Sequence, residues 1–412
     1  MKTLPETPPQ RYDAVALFSG GLDSILAAKT IVAQGLRVKC LHFITPFFGK
    51  PAKLKHWSRI YGLDISGVDV SDAFVAMLRA RPAHGFGKVM NPCVDCKILM
   101  MAEARARMAR YGASFIISGE VLGQRPMSQR RDTLNVIGRE GDVRDILLRP
   151  LSAKMLDPTA PERSGLVDRA RLHGIYGRGR KEQLALAEYF ALQEIPTPAG
   201  GCRLAEMENA RRYWPVLQQA SVPSGAEFRL ANTGRQYWSG PHWLSIGRNN
   251  ADNEYLEKCA FPEDMRLRVR DFPSPLAVAR QFNPWDKSTL IDAAAFVASF
   301  SPKAVAADQE VTVLVSTGGG PEKDPQSGAL VGEKILYQIV VRPCRTTPLG
   351  WAEHTWSEVR AQIRAEARDL QLAKFPQGSH IAQRLKQQSC QESPENSHAG
   401  SLLAKDYSDV IV

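Results

Sequence analysis

The sequence predicts an α/β protein: a parallel sheet covered by helices, followed by a second, smaller α+β domain. Strand-like segments alternate with helix-like segments through the first half of the 412 residues, and shorter β-type segments replace this pattern after Cys202. The content of 44% hydrophobic and 23% charged residues is that of a globular protein. Typical domain sizes then predict several domains, and we expect them at residues 1–203, 204–345 and 346–412.

The alternation in the first half predicts the parallel sheet. Asp13–Phe18 is a buried strand that breaks at two glycines and is followed by a helix over Ser24–Gln34. Further strands are predicted over Arg37–Ile44 and Ser114–Ser118, and further helices over Ser71–Arg79, Val94–Tyr111 and Arg180–Gln193. In such sheets functional groups gather beyond the carboxyl ends of the strands.

The second half reads as an α+β domain followed by a helix and a tail. The β-type segments are Glu227–Leu230, His242–Gly247, Met265–Val269, Leu276–Ala279, Val311–Val315 and Ile335–Val341. A helix is predicted around Asn253–Cys259, and residues 352–373 have the pattern of an amphipathic helix. Phe375–Gly400 is rich in Gln, Ser and Asn, a composition that predicts a loosely structured segment.

Charge and cysteine content narrow the class of partner and the compartment. The net charge is +10; residues 1–203 carry +11 (30 Lys and Arg, 19 Asp and Glu) and the remainder carries −1. A polyanion such as nucleic acid would be drawn to the first half. Seven cysteines, an odd number, argue against a disulfide framework. Without an apolar run of about 18–20 residues or an apolar signal core, the predicted location is cytoplasmic, with no membrane partner.

The segment Phe18–Ser24, F-S-G-G-L-D-S, carries the sharpest motif. It lies between a predicted strand and a predicted helix, where backbone N–H groups and the helix dipole attract an anion. Two glycines let a phosphate approach the backbone, and two hydroxyl groups add donors. Asp23 fits a Mg²⁺ ion placed on the phosphates. The loop is neither a Walker A loop nor a dinucleotide fingerprint, and the plain alternative is a Ser/Gly-rich turn before a helix cap.

This S-G-G-x-D-S motif resembles that of the PP-loop ATP pyrophosphatase superfamily. The resemblance implies an adenine nucleotide alpha-hydrolase-like fold and cleavage of ATP between its α and β phosphates. It further implies that Phe43 or Ile44 lies near the adenine and that Ser118-Gly119-Glu120 lies near the ribose or α-phosphate, although ordinary packing at strand ends is the alternative. The predicted ATP contacts are Ser19, Gly20, Gly21, Asp23, Ser24, Phe43 and Gly119.

Three cysteines form the second constellation. Cys93 and Cys96 open a predicted helix and project from one side of its first turn, and Cys202 ends P-A-G-G-C. The helix N-terminus and Lys97 are expected to lower the pKa values of Cys93 and Cys96 and to favour their thiolates. The residues alone leave several chemistries open: a [4Fe–4S] cluster held by three thiolates, a persulfide or disulfide relay, a zinc site, or buried thiols without a role.

The cysteine motifs N-P-C-x-x-C-K and P-A-G-G-C resemble those of ThiI-type tRNA sulfurtransferases, the thiouridine synthetases, over residues 13–203. Gly119–Gln129 and Leu148–Lys154 extend the resemblance. It implies that ATP adenylates a uridine carbonyl and that sulfur replaces the oxygen, giving 4-thiouridine as first choice and 2-thiouridine as second. The implied partners are tRNA and a sulfur donor, free sulfide or a cysteine desulfurase. The implied catalytic residues are Asp23, Cys93, Cys96 and Cys202, with the three cysteines as ligands of a possible iron–sulfur cluster.

Basic side chains beyond the strands suggest RNA contacts. Arg125 follows the third predicted strand, and Arg178, Arg180 and Lys181 lie in a Gly-rich turn; solvated charge is the alternative. In the second half, Trp243–Leu256 resembles the G-R-N-x-x-x-N-x-x-L segment of NFACT-type RNA-binding domains, which implies that Arg248 contacts RNA. The asparagines of this segment are equally suited to capping a helix.

Two other functions compete with tRNA thiolation. One is a PP-loop ligase or amidotransferase acting on a small molecule, and the other is a non-catalytic RNA-binding factor. Neither accounts for both motifs, because the first leaves the three cysteines unexplained and the second leaves the intact phosphate loop unexplained. We therefore predict an ATP-dependent sulfurtransferase.

Overall fold

Two sheets organise the chain in the computed structural model, which describes residues 11–196, 201–318 and 332–373. The first sheet is parallel and has the order β3-β2-β1-β4-β5. Its strands are β1 (Ala14–Leu17), β2 (Val38–Ile44), β3 (Asp64–Asp69), β4 (Phe115–Ile117) and β5 (Leu147–Leu148). The helices of this half are α1 (Leu22–Val32), α2 (Leu54–Tyr61), α3 (Ser71–Ala80), α4 (Cys93–Tyr111), α5 (Arg131–Glu140), α6 (Ala160–Arg163) and α7 (Lys181–Tyr189). The predicted α/β class is confirmed.

Strand β1 explains why the sheet must be covered on both sides. Ala14 and Ala16 pack into one apolar cluster and Val15 and Leu17 into another on the opposite face. All four residues are buried, as expected for a central parallel strand. The strand order reverses direction between β1 and β4, so the loops that follow these two strands lie side by side, where α/β sheets bind ligands.

The second sheet is antiparallel, with the order β11-β10-β8-β9-β7-β6. Its strands are β6 (Arg235–Ser239), β7 (His242–Ile246), β8 (Met265–Val269), β9 (Ala277–Arg280), β10 (Val311–Gly318) and β11 (Glu333–Val341). The accompanying helices are α8 (Met207–Gln219), α9 (Gly225–Ala231), α10 (Asn250–Cys259), α11 (Lys287–Ala298), α12 (Pro302–Ala306) and α13 (Trp356–Ala373). Phe296 and Val297 of α11 join Leu244 and Leu267 of the strands in one buried cluster. This confirms the predicted α+β character of the second half.

One segment of the second half was predicted with the wrong structure. Glu227–Leu230 was expected to be a strand but lies inside helix α9. Ser224 and Glu227 form a capping box that starts this helix, and the Glu227 carboxylate pairs with the buried Arg280 guanidinium at 2.7 Å. The helix is therefore set by its cap and by a distant partner, neither of which the short apolar alternation of Glu227–Leu230 reveals.

Both sheets belong to one compact unit that ends at Trp356. Phe47, just after β2, packs edge-on against Tyr213 of α8 and Phe228 of α9, with ring centroids 5.1 and 5.0 Å away. Asn232 also donates a 2.8 Å hydrogen bond to the carbonyl oxygen of Pro46. These contacts join the loop after β2 to the helices that precede the second sheet. Among the described helices, none combines the length and the apolar character that a membrane span needs.

Candidate active site

The phosphate loop follows the carboxyl end of the central strand β1, at the point where the strand order reverses. Gly20 has φ +79° and a side chain there would lie 2.5 Å from the indole of Trp57, so only glycine fits. The Ser24 hydroxyl donates to the carbonyl oxygen of Gly21 at 2.8 Å, and the backbone N–H of Ser19 points to the Ser24 hydroxyl at 3.3 Å. No side chain caps α1 at Gly21. The first N–H groups of α1 are thus left for an anion.

His42 holds the start of this loop and was not singled out from the sequence. Its Nδ1 lies 2.8 Å from the carbonyl oxygen of Phe18, and its Nε2 accepts a 2.8 Å hydrogen bond from the backbone N–H of Lys50. The two bonds require the neutral imidazole with the proton on Nδ1. Burial lowers the pKa of His42, in agreement with a neutral ring. No local pattern marks this role, which depends on the pairing of β1 with β2.

Asp23 lies at the centre of a polar cluster with unsatisfied oxygen atoms. Gln124 Nε2 donates to its Oδ2 at 3.0 Å, while Oδ1 is buried without a hydrogen-bond partner. The Oε1 atoms of Gln124 and of the fully buried Gln183 also lack partners. Burial raises the pKa of Asp23, opposed by Gln124 and by the charges of Arg180 and Arg125. Hard oxygen donors of this kind fit Mg²⁺, and Gln183 is a member of the cluster that the sequence did not indicate.

Gly119 and Glu120 connect the phosphate loop to the cysteine helix. A side chain at Gly119 would lie 2.7 Å from backbone atoms of Asp23 and of Ser24, so the turn after β4 rests directly on the start of α1. The neighbouring Glu120 is buried and pairs with Arg149 at 3.0 Å. Its other carboxylate oxygen lies 3.9 Å from the ammonium of Lys97 on α4, the residue after Cys96.

The structure brings the three predicted cysteines into one neighbourhood. Asn91 Nδ2 donates to Cys93 Sγ at 3.1 Å at the start of α4. The segment after Cys202 is fixed to both sides of the site: the N–H of Arg203 bonds to the Phe47 carbonyl, and the N–H of Met90 bonds to the Leu204 carbonyl. Cys93 and Cys202 each contribute to the pKa of Cys96, and Cys93 contributes to that of Cys202. The three thiols therefore share one electrostatic environment.

The expectation that the helix N-terminus and Lys97 favour a thiolate is wrong for Cys96. Burial raises the pKa of Cys96 to about 12 and that of Cys202 to about 11. The charge of Lys97 acts in the opposite direction on Cys96 but is the smaller effect. Among the described residues, moreover, no group of three His, Cys, Asp or Glu side chains is placed to hold a metal ion. The present arrangement of the thiols is therefore not a ready ligand set for a cluster.

The other predicted contacts fall into three groups. Arg125 and Arg180 act electrostatically on Asp23, whereas Arg178 and Lys181 are exposed beside them. Arg248 is engaged by Asp252 at 2.7 Å, and Asn249 caps α10 by accepting from the Asp252 N–H, the capping alternative raised above. Phe43 is buried in the core cluster on one face of the sheet, so its contact with adenine stays a prediction.

Comparison with known proteins finds sequence similarity in the first half. Residues 10–155 match the family model described as thiamine biosynthesis protein (ThiI). A curated relative, the "Probable tRNA sulfurtransferase" of Thermococcus kodakarensis, is 28% identical over 142 residues, which are 33% of this chain and 36% of the relative. The match thus spans about a third of the length of the curated relative.

Solved structures show only weak overall similarity. The C-terminal part of the fibronectin/fibrinogen-binding protein of Streptococcus suis is 18% identical, with 39% of this chain and 72% of that chain covered and a TM-score of 0.21. A predicted tRNA methyltransferase subunit of Methanocaldococcus jannaschii is 14% identical, with 34% of this chain and 69% of that chain covered and a TM-score of 0.26. The NMN synthetase of Francisella tularensis is 15% identical, with 47% of this chain and 90% of that chain covered and a TM-score of 0.22.

The family match and the geometry of the phosphate loop agree with each other. The matched segment contains the S-G-G-x-D-S loop, the turn at Gly119 and two of the three cysteines. The turn at Gly119 lies against the phosphate loop, and the helix that carries the two cysteines is connected to this turn by the Lys97–Glu120 pair. Residues 10–155 of this chain are therefore similar in sequence to the ThiI family, over a segment that contains the phosphate loop.

Proposed function

We propose that this protein is an ATP-dependent tRNA sulfurtransferase that adenylates a uridine carbonyl and replaces its oxygen with sulfur. The observation that supports the proposal is the contact chain from the phosphate loop through Gly119 and Glu120 to Lys97, beside Cys96. A nucleotide site and a thiol site that share one set of buried contacts suit a reaction in which activation by ATP is followed by sulfur transfer.

In the proposed first step, the uridine carbonyl oxygen attacks the α-phosphorus of ATP. An O–P bond forms, the bond to the bridging oxygen of the β-phosphate breaks, and pyrophosphate leaves with the electron pair. The N–H groups at the start of α1 and the hydroxyls of Ser19 and Ser24 stabilise the charge on that leaving group. Asp23, Gln124 and Gln183 would hold Mg²⁺, which, when bound, neutralises phosphate charge.

In the proposed second step, a persulfide on one of the three cysteines attacks the activated carbon, and AMP leaves with the former carbonyl oxygen. A second cysteine thiol then loses its proton to solvent and attacks the sulfur of the first cysteine. The S–S bond of the adduct breaks, the transferred sulfur stays on the base as a thiocarbonyl, and the two cysteines become a disulfide. The transferred sulfur gains two electrons, the two thiols lose two, and a thiol reductant restores them. A cysteine desulfurase supplies the persulfide by transferring sulfane sulfur to the cysteine. Free sulfide is already at the oxidation level of the product, so it would instead attack the activated carbon directly, displace AMP and form no disulfide.

Basic side chains around the phosphate loop are the proposed RNA contacts. Arg125, Arg178, Arg180 and Lys181 border the site from which the target base must be reached, and a base taken out of its stack needs backbone contacts to offset the cost of a few kcal/mol. We extend the proposal to residues 204–345 as an NFACT-like docking domain, with Arg248 as its contact. Neutralising these side chains should reduce the salt dependence of tRNA binding.

The test is thiolation of a tRNA transcript by the purified protein with ATP, Mg²⁺ and either sulfide or a cysteine desulfurase. Mass spectrometry of the digested nucleosides detects product and distinguishes 4-thiouridine from 2-thiouridine. With the desulfurase as donor, Cys202→Ser should release pyrophosphate yet form no thionucleoside. Cys259→Ser, which alters a partly exposed cysteine on α10, should behave as wild type. Absence of thionucleoside with both donors contradicts the proposal, and pyrophosphate release that a metabolite stimulates and tRNA does not would favour a small-molecule ligase.

Iron and sulfide analysis of anaerobically purified protein decides between the two sulfur carriers. A relay of free thiols predicts a colourless protein without stoichiometric iron. A cluster predicts iron and sulfide that are lost together in Cys93→Ala, Cys96→Ala and Cys202→Ala. Either result leaves the adenylation step intact, because that step depends on the phosphate loop.

A further inference from the structure

An exposed aromatic residue lies at the rim of the phosphate site and has no role in the two proposed reaction steps. Tyr176 precedes the basic turn that carries Arg178 and Arg180, and 62% of its surface is exposed. Most of the ring is therefore available to a ligand. Exposed aromatic side chains are unremarkable when they occur on free loops, and the question is whether this one is held in place.

The backbone that carries Tyr176 is braced on both sides. Tyr176 forms a parallel bridge with Leu122, and the N–H of Gly177 donates to the Leu122 carbonyl at 2.8 Å. On the other side, the fully buried Ser152 accepts from the N–H of Leu122 at 3.0 Å and donates to the carbonyl of Ile175 at 2.7 Å. The ring is thus exposed on backbone that is tied to the turn after β4.

The ring itself rests on a glycine next to the Asp23 cluster. A side chain at Gly123, which has φ +79°, would lie 3.0 Å from Cε2 and 3.1 Å from Cζ of Tyr176. The next residue, Gln124, donates to Asp23 at 3.0 Å. The ring therefore lies on a glycine that is one residue along the chain from a direct contact with Asp23. Arg125 and Arg180 both act electrostatically on the same carboxylate.

We propose that Tyr176 is a stacking platform for a nucleobase of the RNA substrate, either the target uridine or the base beside it. This inference rests on the proposed function, since it concerns how the substrate of that site is held. A rigid exposed ring with arginines around it is the arrangement that binds unstacked single-stranded bases, where the ring contacts the base and the guanidinium groups contact the phosphates. Its place beside Gln124 and Asp23 would bring such a base to the ATP α-phosphate. Tyr176 is a positioning residue in this proposal.

The test compares Tyr176→Ala, Tyr176→Phe and Tyr189→Ala. Tyr189 is a matched control because it is 78% exposed and lies at the end of α7. Removing a stack is worth about 1–3 kcal/mol, so the Kd for a labelled oligouridine RNA and for a tRNA transcript should rise about 5- to 150-fold in Tyr176→Ala. Tyr176→Phe keeps the ring and should stay within about twofold of wild type, as should Tyr189→Ala. Melting temperatures verify that all three variants fold.

The readouts separate this proposal from the proposed function. Weakened RNA binding in Tyr176→Ala with no thionucleoside from the wild-type protein would support the platform and contradict the sulfurtransferase. Thionucleoside formation with the same Kd in Tyr176→Ala and Tyr189→Ala overturns the platform and leaves the sulfurtransferase standing. Unchanged RNA affinity together with a raised KM for ATP also overturns it, because the ring would then stack on adenine.

Discussion

Gly119→Ala should damage the nucleotide site through a single methyl group. The added carbon would lie 2.7 Å from the carbonyl carbon and oxygen of Asp23 and from the Cα of Ser24, where ordinary contacts begin at 3.4 Å. All three are backbone atoms, so no side-chain rotation relieves the overlap. Either the turn after β4 or the first turn of α1 must move by about 0.7 Å.

The size of that movement sets the expected effect. Overpacking at a rigid site costs about 1–3 kcal/mol of unfolding free energy. Misplacement of reacting groups by 1 Å costs about 100-fold in rate, so a displacement of about 0.7 Å should lower kcat for pyrophosphate release by about 25-fold. Both losses come from one contact and should appear together.

The assay pairs urea unfolding with tRNA-dependent pyrophosphate release, and Gly138→Ala is the matched control. Gly138 lies inside α5, where the nearest atom to an added methyl group is the Arg144 Cα at 3.4 Å. Alanine there should gain about 0.5–1 kcal/mol, because glycine weakens a helix interior. If Gly119→Ala matches wild type in both stability and rate, the turn after β4 does not rest on the phosphate loop, and the argument is refuted.

Two further predictions concern buried ionisable side chains, His42 and Arg280. Burial lowers the pKa of His42 below its ordinary value of 6.5, so the unfolded chain takes up a proton that the folded chain excludes. The unfolding free energy should therefore fall as the pH drops below about 6.5, less so in His42→Gln, as urea midpoints at pH 7 and 5 will test. Arg280→Met leaves the carboxylates of Glu227 and Asp264, 2.7 and 2.9 Å from the guanidinium, buried and unpaired, and should cost about 3–5 kcal/mol.

Matched variants keep these two outcomes falsifiable. Arg270→Met removes an exposed pair with Asp271 and should change the unfolding free energy by less than about 1 kcal/mol. Equal losses in Arg270→Met and Arg280→Met would show that burial does not decide the cost. A pH profile that is identical in His42→Gln and wild type would assign the pH dependence to other groups, of which His173 is the first to examine because burial lowers its pKa as well.

Strand prediction succeeded for the central strands of the first sheet. It failed for an exposed edge strand and for a segment whose structure depends on a helix cap and a distant ion pair. β1 is a continuous apolar run, and β2 is mostly apolar and almost entirely buried, because both faces of these strands are covered. β3, Asp64–Asp69, lies at the edge of the sheet and is largely exposed, so its sequence carries little apolar pattern and it was missed. Helix α9 was mistaken for a strand because its capping box and its ion pair with Arg280 outweigh a four-residue alternation.

The features of the candidate site also separate into those that the sequence predicts and those that it does not. The phosphate loop could be predicted because its function depends on consecutive residues, Ser19 to Ser24, whose turn and helix start are local. The thiol pKa values could not, because they depend on how much water the rest of the fold removes from Cys96 and Cys202. Gln183 and His42 were invisible for a related reason, since their partners are distant in the sequence and polar residues of these types are common.

By itself, the sequence determined a phosphate-binding turn between a strand and a helix, a cysteine pair one helical turn apart, and a basic first half. Only the tertiary structure decided which of these meet. It joined the turn after β4 to the phosphate loop, set Lys97 between Cys96 and Glu120, and braced Tyr176 against Gly123. The physical reason is the separation of the interacting residues along the chain. Backbone turns and helix starts form between neighbouring residues. Burial and contacts between distant segments exist only once the sheet has brought those segments together.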